Sequence, residues 1–554
     1  MRQFLAIISL LILSSLPSDL CAYHGSMRYL QQGRYGQLLG HYQQKKIQNE
    51  KMDFDELRQI GFQILREGIE SDDRDIQLLT LLSATIACVD EMKGILHAGA
   101  NSIYPEIQLA TLQISQSYPS NLSVEIATKF LSSPHPLLYL EALLLLAKRQ
   151  HPMALGHLET LLAKIPPQIK PLFPQFFAAL GTPQAIRHLK RMLSDPSETV
   201  RIATILTAAE NRRDDLLPKI RQLAKHPSQL QQEACSKALG DFLDASSKPL
   251  LQKLSSSSIE PVRLTALRGL YLMGDEGAER ALEAAADGGN LYAITALSKR
   301  AGSEDFLFKL TRHPDRSVRI NAALGLLERC DDRCAEGILE LLLPHGPERV
   351  LVNLHTPSKG LSAWREVSST QPCVEHPEMA DLLILTLKEQ CIARCAMLSP
   401  DTFMRMARLL LQKPSHPLIP TLISTLESLE SQEALDLLNE QAERPGEPLI
   451  RHFSLLTLYR LEETPHREAQ LVKLMREMAQ VNCLQLRSPG PVKPLTPSKN
   501  LLTPEEESKL FLSGLETLAS KREDHSIDLL FELLCKGNPK NRYAIAGLLI
   551  RAAQ

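Results

Sequence analysis

Apolar positions recur along this chain at two distances. Within short stretches they fall three and four residues apart, the spacing of one helix face. Between stretches the pattern returns every 31 residues. The first apolar position of each second helix gives Ile76, Ile107, Leu138, Ile169, Val200, Gln231, Val262, Tyr292 and Val318, with steps of 31 until a 30 and a 26 at the end. Gln231 is polar, but Ala234 keeps the small position that Ala203 and Ala110 hold in their repeats. Ile419 and Ile450 resume the recurrence, again 31 apart.

Each period divides into two helical stretches. Ile186, Leu189, Met192 and Leu193 mark the first, and Ser194-Asp195-Pro196 closes it, because proline cannot continue a helix and serine or aspartate can cap the next. Val200, Ala203, Leu206 and Ala209 line one face of the second, with Ile202 and Ile205 beside them. A helix apolar nearly all round is one sandwiched between neighbours. Small residues (Ala110, Ala142, Ala203, Ala234, Ala266) allow close approach. Alternation of the strand type is almost missing. A lone hairpin of two helices of about twelve residues, each roughly 18 Å long, cannot cover its apolar faces, so the repeats must stack. Nine of them at 8–10 Å per layer predict an array on the order of 80 Å long. The expected fold is all-α, an elongated α-solenoid (superhelix) of stacked hairpins.

The Asp-Pro-x-x-x-Val-Arg-x-Ala pattern at 195–203, echoed with the alanine one place later at 260–266 and 315–322, resembles the short HEAT-like repeat also found in phycobilisome-lyase-type proteins. The resemblance covers 53–343 well and 379–481 weakly. It implies a ladder tying repeats together, with Arg201, Arg263 and Arg319 at the arginine position and Asp195, Glu260 and Asp315 as partners. Gln77, Gln108, Tyr139, Lys170, Gln232 and Ala293 depart from the pattern, so the ladder is expected to be partial and structural. The resemblance also implies protein–protein interaction without naming a partner. Its alternative is a lyase-like or other small-ligand-handling enzyme on the same scaffold.

Around the repeats, residues 1–22 read as a secretory signal. Arg2 is followed by an apolar run from Phe4 to Leu16, and Leu20-Cys21-Ala22 offers a cleavage site. That run is too short to span about 30 Å of hydrocarbon, and no later segment supplies 18 uncharged apolar residues. Leu20 stands where a lipoprotein signal needs a small residue, which speaks against lipidation of Cys21. The chain is therefore expected to be exported, periplasmic or secreted, with no membrane span in its mature form. In an endoplasmic lumen Asn121-Leu122-Ser123 would be a glycosylation acceptor. Residues 23–52 read as an N-terminal cap, 53–343 as the main array, and 344–378 as an irregular proline-rich insertion holding the only tryptophan, Trp364. Residues 379–481 read as a second, degenerate array, 482–504 as a stiff proline-rich linker and 505–554 as a C-terminal helical cap.

Composition narrows the function. The 554 residues carry 62 Lys and Arg against 64 Asp and Glu, which removes a global electrostatic case for nucleic acid. Nucleophile elbows, His-Glu-x-x-His helices and phosphate-binding glycine loops are missing from the sequence. The sixteen histidines are scattered, and several precede proline in inter-helix turns, among them His135, His226, His313, His376 and His416. Cys330/Cys334 and Cys391/Cys395 share a Cys-x3-Cys spacing that fits core thiols or a local disulfide better than a zinc site. No cofactor, metal or catalytic residue is expected.

Local charge is uneven. Residues 185–225 hold nine cations, Arg187, Lys190, Arg191, Arg201, Arg212, Arg213, Lys219, Arg221 and Lys225, against five acids. Residues 427–447 hold Glu427, Glu430, Glu433, Asp436, Glu440, Glu443 and Glu447 against Arg444. Solvated helix faces explain both stretches; the basic and acidic sets are also the candidate surfaces for steering a protein partner or self-association.

Overall fold

A computed structural model describes residues 26–48, 53–118, 121–343, 377–412, 416–484 and 502–554. The proposed signal, Trp364 and most of the two proline-rich stretches lie outside the described residues. Helices and turns make up the described residues, without a strand. The fold is all-α, stacked helical hairpins, and it divides into two bodies: residues 127–440, and residues 1–126 together with 441–554. No described helix is long and apolar enough to cross a membrane.

In the 127–440 body each repeat follows one local logic. The Pro183–Met192 helix starts with Thr182 accepting from the Ala185 N–H at 3.3 Å and proline at its first turn, where a missing donor costs nothing. It buries Ala185, Ile186, Leu189 and Met192 along one stripe. The following Glu198–Glu210 helix buries Val200, Ile202 and every residue from Ala203 to Ala209, since it stacks between neighbours. It meets Gln229–Asp241, which in turn meets Glu260–Leu272. At that second contact Gly240 and Gly269 face each other, and a Cβ on Gly240 would stand 2.7 Å from the Gly269 Cα.

The second helices end in a repeating device. Gln150, Gly181, Arg212, Leu243 and Gly274 all have positive φ, spaced 31 residues apart. Such a residue reverses the chain so that the next N–H bonds five residues back, as Arg213 does to Ala208 (2.9 Å) and Asp244 to Leu239 (3.2 Å). Only the two glycines betray this position in the sequence. Prolines shorten the second helix of one repeat. Beyond Ile169, Pro171 and Pro174 leave a 3₁₀ turn, Lys170–Leu172, and a short helix, Phe173–Leu180, in place of a full second helix.

The other body joins both ends of the chain. The Arg542–Ala552 helix packs on Phe54–Ile69 and Arg74–Ala87. Gly547 lies so near Ser83 that a Cβ would stand 2.7 Å from its carbonyl oxygen, and Gly61 lies equally near the Ile550 Cγ1. The Tyr35–Ile47 helix rests on Asp524–Lys536, where the Tyr42 hydroxyl donates to Asp528 at 2.9 Å and its ring meets Phe531 at 4.5 Å. Arg542 stacks over the Tyr35 ring at 3.5 Å, and Lys45 pairs with Glu56 at 2.8 Å.

Candidate interaction surfaces

The arginine ladder is built differently from the pairing that the resemblance implies. Arg201 donates from Nη1 to the Asp195 carbonyl at 2.7 Å, and from Nε to the Gln231 amide oxygen of the next repeat at 2.7 Å. Arg263 reaches the Ser257 carbonyl at 3.2 Å, and Arg319 the His313 carbonyl at 2.9 Å. Each bond runs six residues back, into the turn before the helix. The carboxylates do other work: Asp195 and Asp315 accept from the N–H groups of Ser197 (2.9 Å) and Ser317 (2.8 Å). Glu260 stands 4.0 Å from Arg263 and accepts from Asn290 of the next repeat at 3.3 Å.

The glutamines that depart from the pattern make the same bond. Gln77 donates to the Ser71 carbonyl (2.6 Å), Gln108 to Ser102 (2.8 Å) and Gln232 to His226 (2.8 Å). An amide N–H makes this bond as a guanidinium does. Gln231, polar yet fully buried, is satisfied on both sides: it accepts from Arg201 and donates to the Leu223 carbonyl at 3.0 Å.

The structure sorts the basic set into committed and uncommitted cations. Arg221 makes a bidentate pair with Asp244 at 2.6 and 3.0 Å. Burial pushes the Asp244 carboxyl up, but the bonds from Arg221 and Ser247 hold it below its ordinary value. Arg213 pairs with Asp215 at 3.1 Å, Lys219 donates to Gln222 at 3.1 Å, and Arg212 points at the Asp241 carbonyl at 3.5 Å. Arg187, Lys190 and Arg191, on the outer face of Pro183–Met192, and Lys225, just beyond Leu217–Leu223, are exposed with no side-chain partner. These two helices are the first helices of successive hairpins.

The acidic set is spread over both bodies, with Glu443 and Glu447 in the body that holds the chain ends. Glu433 pairs with Arg408 at 2.8 Å, and Asp436 accepts from Gln432 at 2.9 Å. Glu427 and Glu447 are engaged as well, whereas Glu430, Glu440 and Glu443 are exposed.

Two arrangements escape the sequence reading. Asp241 accepts from Lys237 (2.7 Å) and Arg268 (2.8 Å), whose charges outweigh its burial and hold its carboxyl below the usual value. The Lys237/Asp241 spacing of four was the available signal. Beside them a shallow hollow of about 310 Å³ is lined by Ala209, Glu210, Arg212, Gly240, Asp241, Leu243 and Leu272. It contains no histidine, and Asp241 is already committed. Of the Cys-x3-Cys residues, Cys334, Cys391 and Cys395 are buried and Cys330 is exposed; among the described residues no group of side chains is arranged to hold a metal.

Residues 186–270 match the HEAT repeats family. The match covers the Arg201 and Arg263 rungs of the ladder, the basic set and all of the hollow but Leu272. No curated protein matches the sequence. Among solved structures, yeast importin-beta (Kap95p) aligns with 88% of this chain and 73% of its own at 15% identity and a TM-score of 0.33. UNC-45 from Drosophila melanogaster aligns with 97% of this chain and 88% of its own at 13% identity and a TM-score of 0.33. Likeness at this level assigns no function.

Proposed function

We propose that this chain is an exported, non-catalytic HEAT-repeat scaffold that binds an acidic segment of another protein. The observation that carries the reading is the contrast within the basic set. Arg213 and Arg221 are held in ion pairs, whereas Arg187, Lys190, Arg191 and Lys225 have no side-chain partner on the first helices of two adjacent hairpins. Exposed cations cost nothing while solvated, and a row of them on a rigid stack attracts and orients an anionic surface. Support for a non-catalytic role comes from the hollow, whose two carboxylates are both engaged, Asp241 with Lys237 and Arg268 and Glu210 with a partner of its own.

The test is a charge reversal. Arg187→Glu, Lys190→Glu and Arg191→Glu together leave the buried stripe of their helix intact. Proteins bound by the wild type from an exported fraction are identified by mass spectrometry and their affinity is compared with that of the variant. Loss of at least about tenfold in affinity, with the wild-type complex weakening as salt rises, is expected. Unchanged binding removes this surface, and no stable partner at physiological salt counts against the scaffold. Export is tested separately. The mature N-terminus should fall at or near Tyr23, and a cytoplasmic chain retaining Met1 overturns that part.

A further inference from the structure

The three buried cysteines near residues 327–402 come from stretches on either side of residues 344–376. All three are free thiols in the structure, and polar contacts hold the two stretches together around them. Arg394 donates to the carbonyls of Leu327 (3.3 Å) and Glu328 (2.8 Å), so the end of the Pro377–Cys395 helix lies on the end of Arg316–Glu328. Five residues on, the Ser399 N–H donates to Asp332 at 2.8 Å, and the Thr402 hydroxyl reaches the same carboxylate at 3.2 Å. Cys395 therefore sits between two attachments to the 327–332 turn, and Cys334 lies two residues past the second attachment point. Both are fully buried, Cys334 at 0% and Cys395 at 1% exposure. Cys391, one helical turn earlier, is buried at 4%. Burial raises all three thiols, Cys391 and Cys395 to about 12, and the three also sense one another's charge.

We propose that Cys334 and Cys395, brought together by the Arg394 and Ser399 contacts to residues 327–332, form a disulfide that joins the chain across residues 344–376. The pairing is not the local one that the Cys-x3-Cys spacing suggests, because Cys330 is exposed at a positive-φ helix end while Cys334 points inward. Buried thiols with raised pKa are poor nucleophiles, so the bond forms while the chain folds. The oxidant is a small disulfide such as oxidised glutathione. One cysteine thiolate attacks a donor sulfur and expels the first donor thiolate. The second cysteine thiolate then attacks the protein-bound sulfur and expels the other. Two cysteine thiols lose two protons and two electrons, and one donor disulfide becomes two thiols. A lasting bond needs an oxidising compartment and so rests on the proposed export, whereas the refolding test does not.

The full-length chain is refolded in a mixture of reduced and oxidised glutathione, alkylated in denaturant, digested without reduction and examined by mass spectrometry. The expected product is a linked peptide pair containing Cys334 and Cys395, with Cys391 and Cys330 alkylated. The thermal midpoint should rise on oxidation in the wild type and in Cys391→Ser, and should not rise in Cys395→Ser. Alkylation of both Cys334 and Cys395, or a bond from Cys334 to any other cysteine, overturns the proposal. The wild-type mapping decides the matter even where a variant folds poorly.

Discussion

At the scale of single residues, arginine and glutamine fill the ladder position by the same bond. Arg201 and Gln232 occupy equivalent places and both bond a carbonyl six residues back, with one cationic and the other neutral. Gln232→Arg should therefore leave stability nearly unchanged, while Gln232→Leu, which strips the His226 carbonyl of its partner, should cost about 0.5–1.5 kcal/mol. Hydrogen exchange in the Gln229–Asp241 helix reads the difference; equal losses in both variants would show that volume matters here and bonding does not. A second residue makes stability depend on pH. His452 is half-buried on Pro448–Leu461, with its Nδ1 enclosed and without a hydrogen bond. Burial first, and the neighbouring Arg451 charge second, lower its pKa from 6.5 to about 4. The folded state holds the neutral ring, so the unfolded chain takes up the proton first as pH falls. The contribution is complete above about pH 6.5 and is lost as pH falls toward about 4. His452→Leu should shrink the drop in thermal midpoint between about pH 7 and about pH 5. An identical drop in the variant would move the acid sensitivity elsewhere.

At the scale of helices and hairpins, periodicity was legible wherever one residue type does the work. Val200, Val262 and Val318 are fully buried at their expected positions, and so are Ile107 and Leu138. What stayed hidden are positions where chemically different residues serve one purpose. Glutamine replaces arginine in the ladder, and Gln150, Arg212 and Leu243 adopt the left-handed turn that Gly181 and Gly274 adopt without strain. Helix contacts between repeats were hidden too, because a glycine such as Gly240 reads as a weak helix residue until its neighbour is known. Gly240 and Gly269 set the spacing between Gln229–Asp241 and Glu260–Leu272, and the atom that Gly240→Ala would strike belongs to backbone, which has no rotamer to offer. The substitution should cost about 1–3 kcal/mol through overpacking, despite alanine's better helix propensity. Protection from hydrogen exchange should fall across residues 229–272, and a gain in protection would mean that the two helices can part without loss.

At the scale of the whole chain, a linear reading of the repeats places residues 23–52 and 505–554 at opposite ends, each closing its own side of an array. A period encodes what each repeat offers its neighbours in sequence and says nothing about which distant segment covers the last exposed face. Here Arg542–Ala552 supplies that cover for Phe54–Ile69 and Arg74–Ala87, within one body that takes in both ends of the chain. Ala544, Ile545, Leu548 and Leu549 are buried to completion there, as are Leu57, Ile60 and Leu65 to within 2%. Gly547 is the sensitive point, because its helix crosses the Arg74–Ala87 backbone at Ser83. Gly547→Leu must push the two helices apart, at a cost of about 1–3 kcal/mol. In a repeat protein such damage spreads through contacts, not through sequence. Hydrogen exchange should therefore show residues 54–87 and 524–552 losing protection together, with residues 198–272 in the other body unaffected. Loss confined to the C-terminal helices, with 54–87 fully protected, would mean that the two ends of the chain are independent caps.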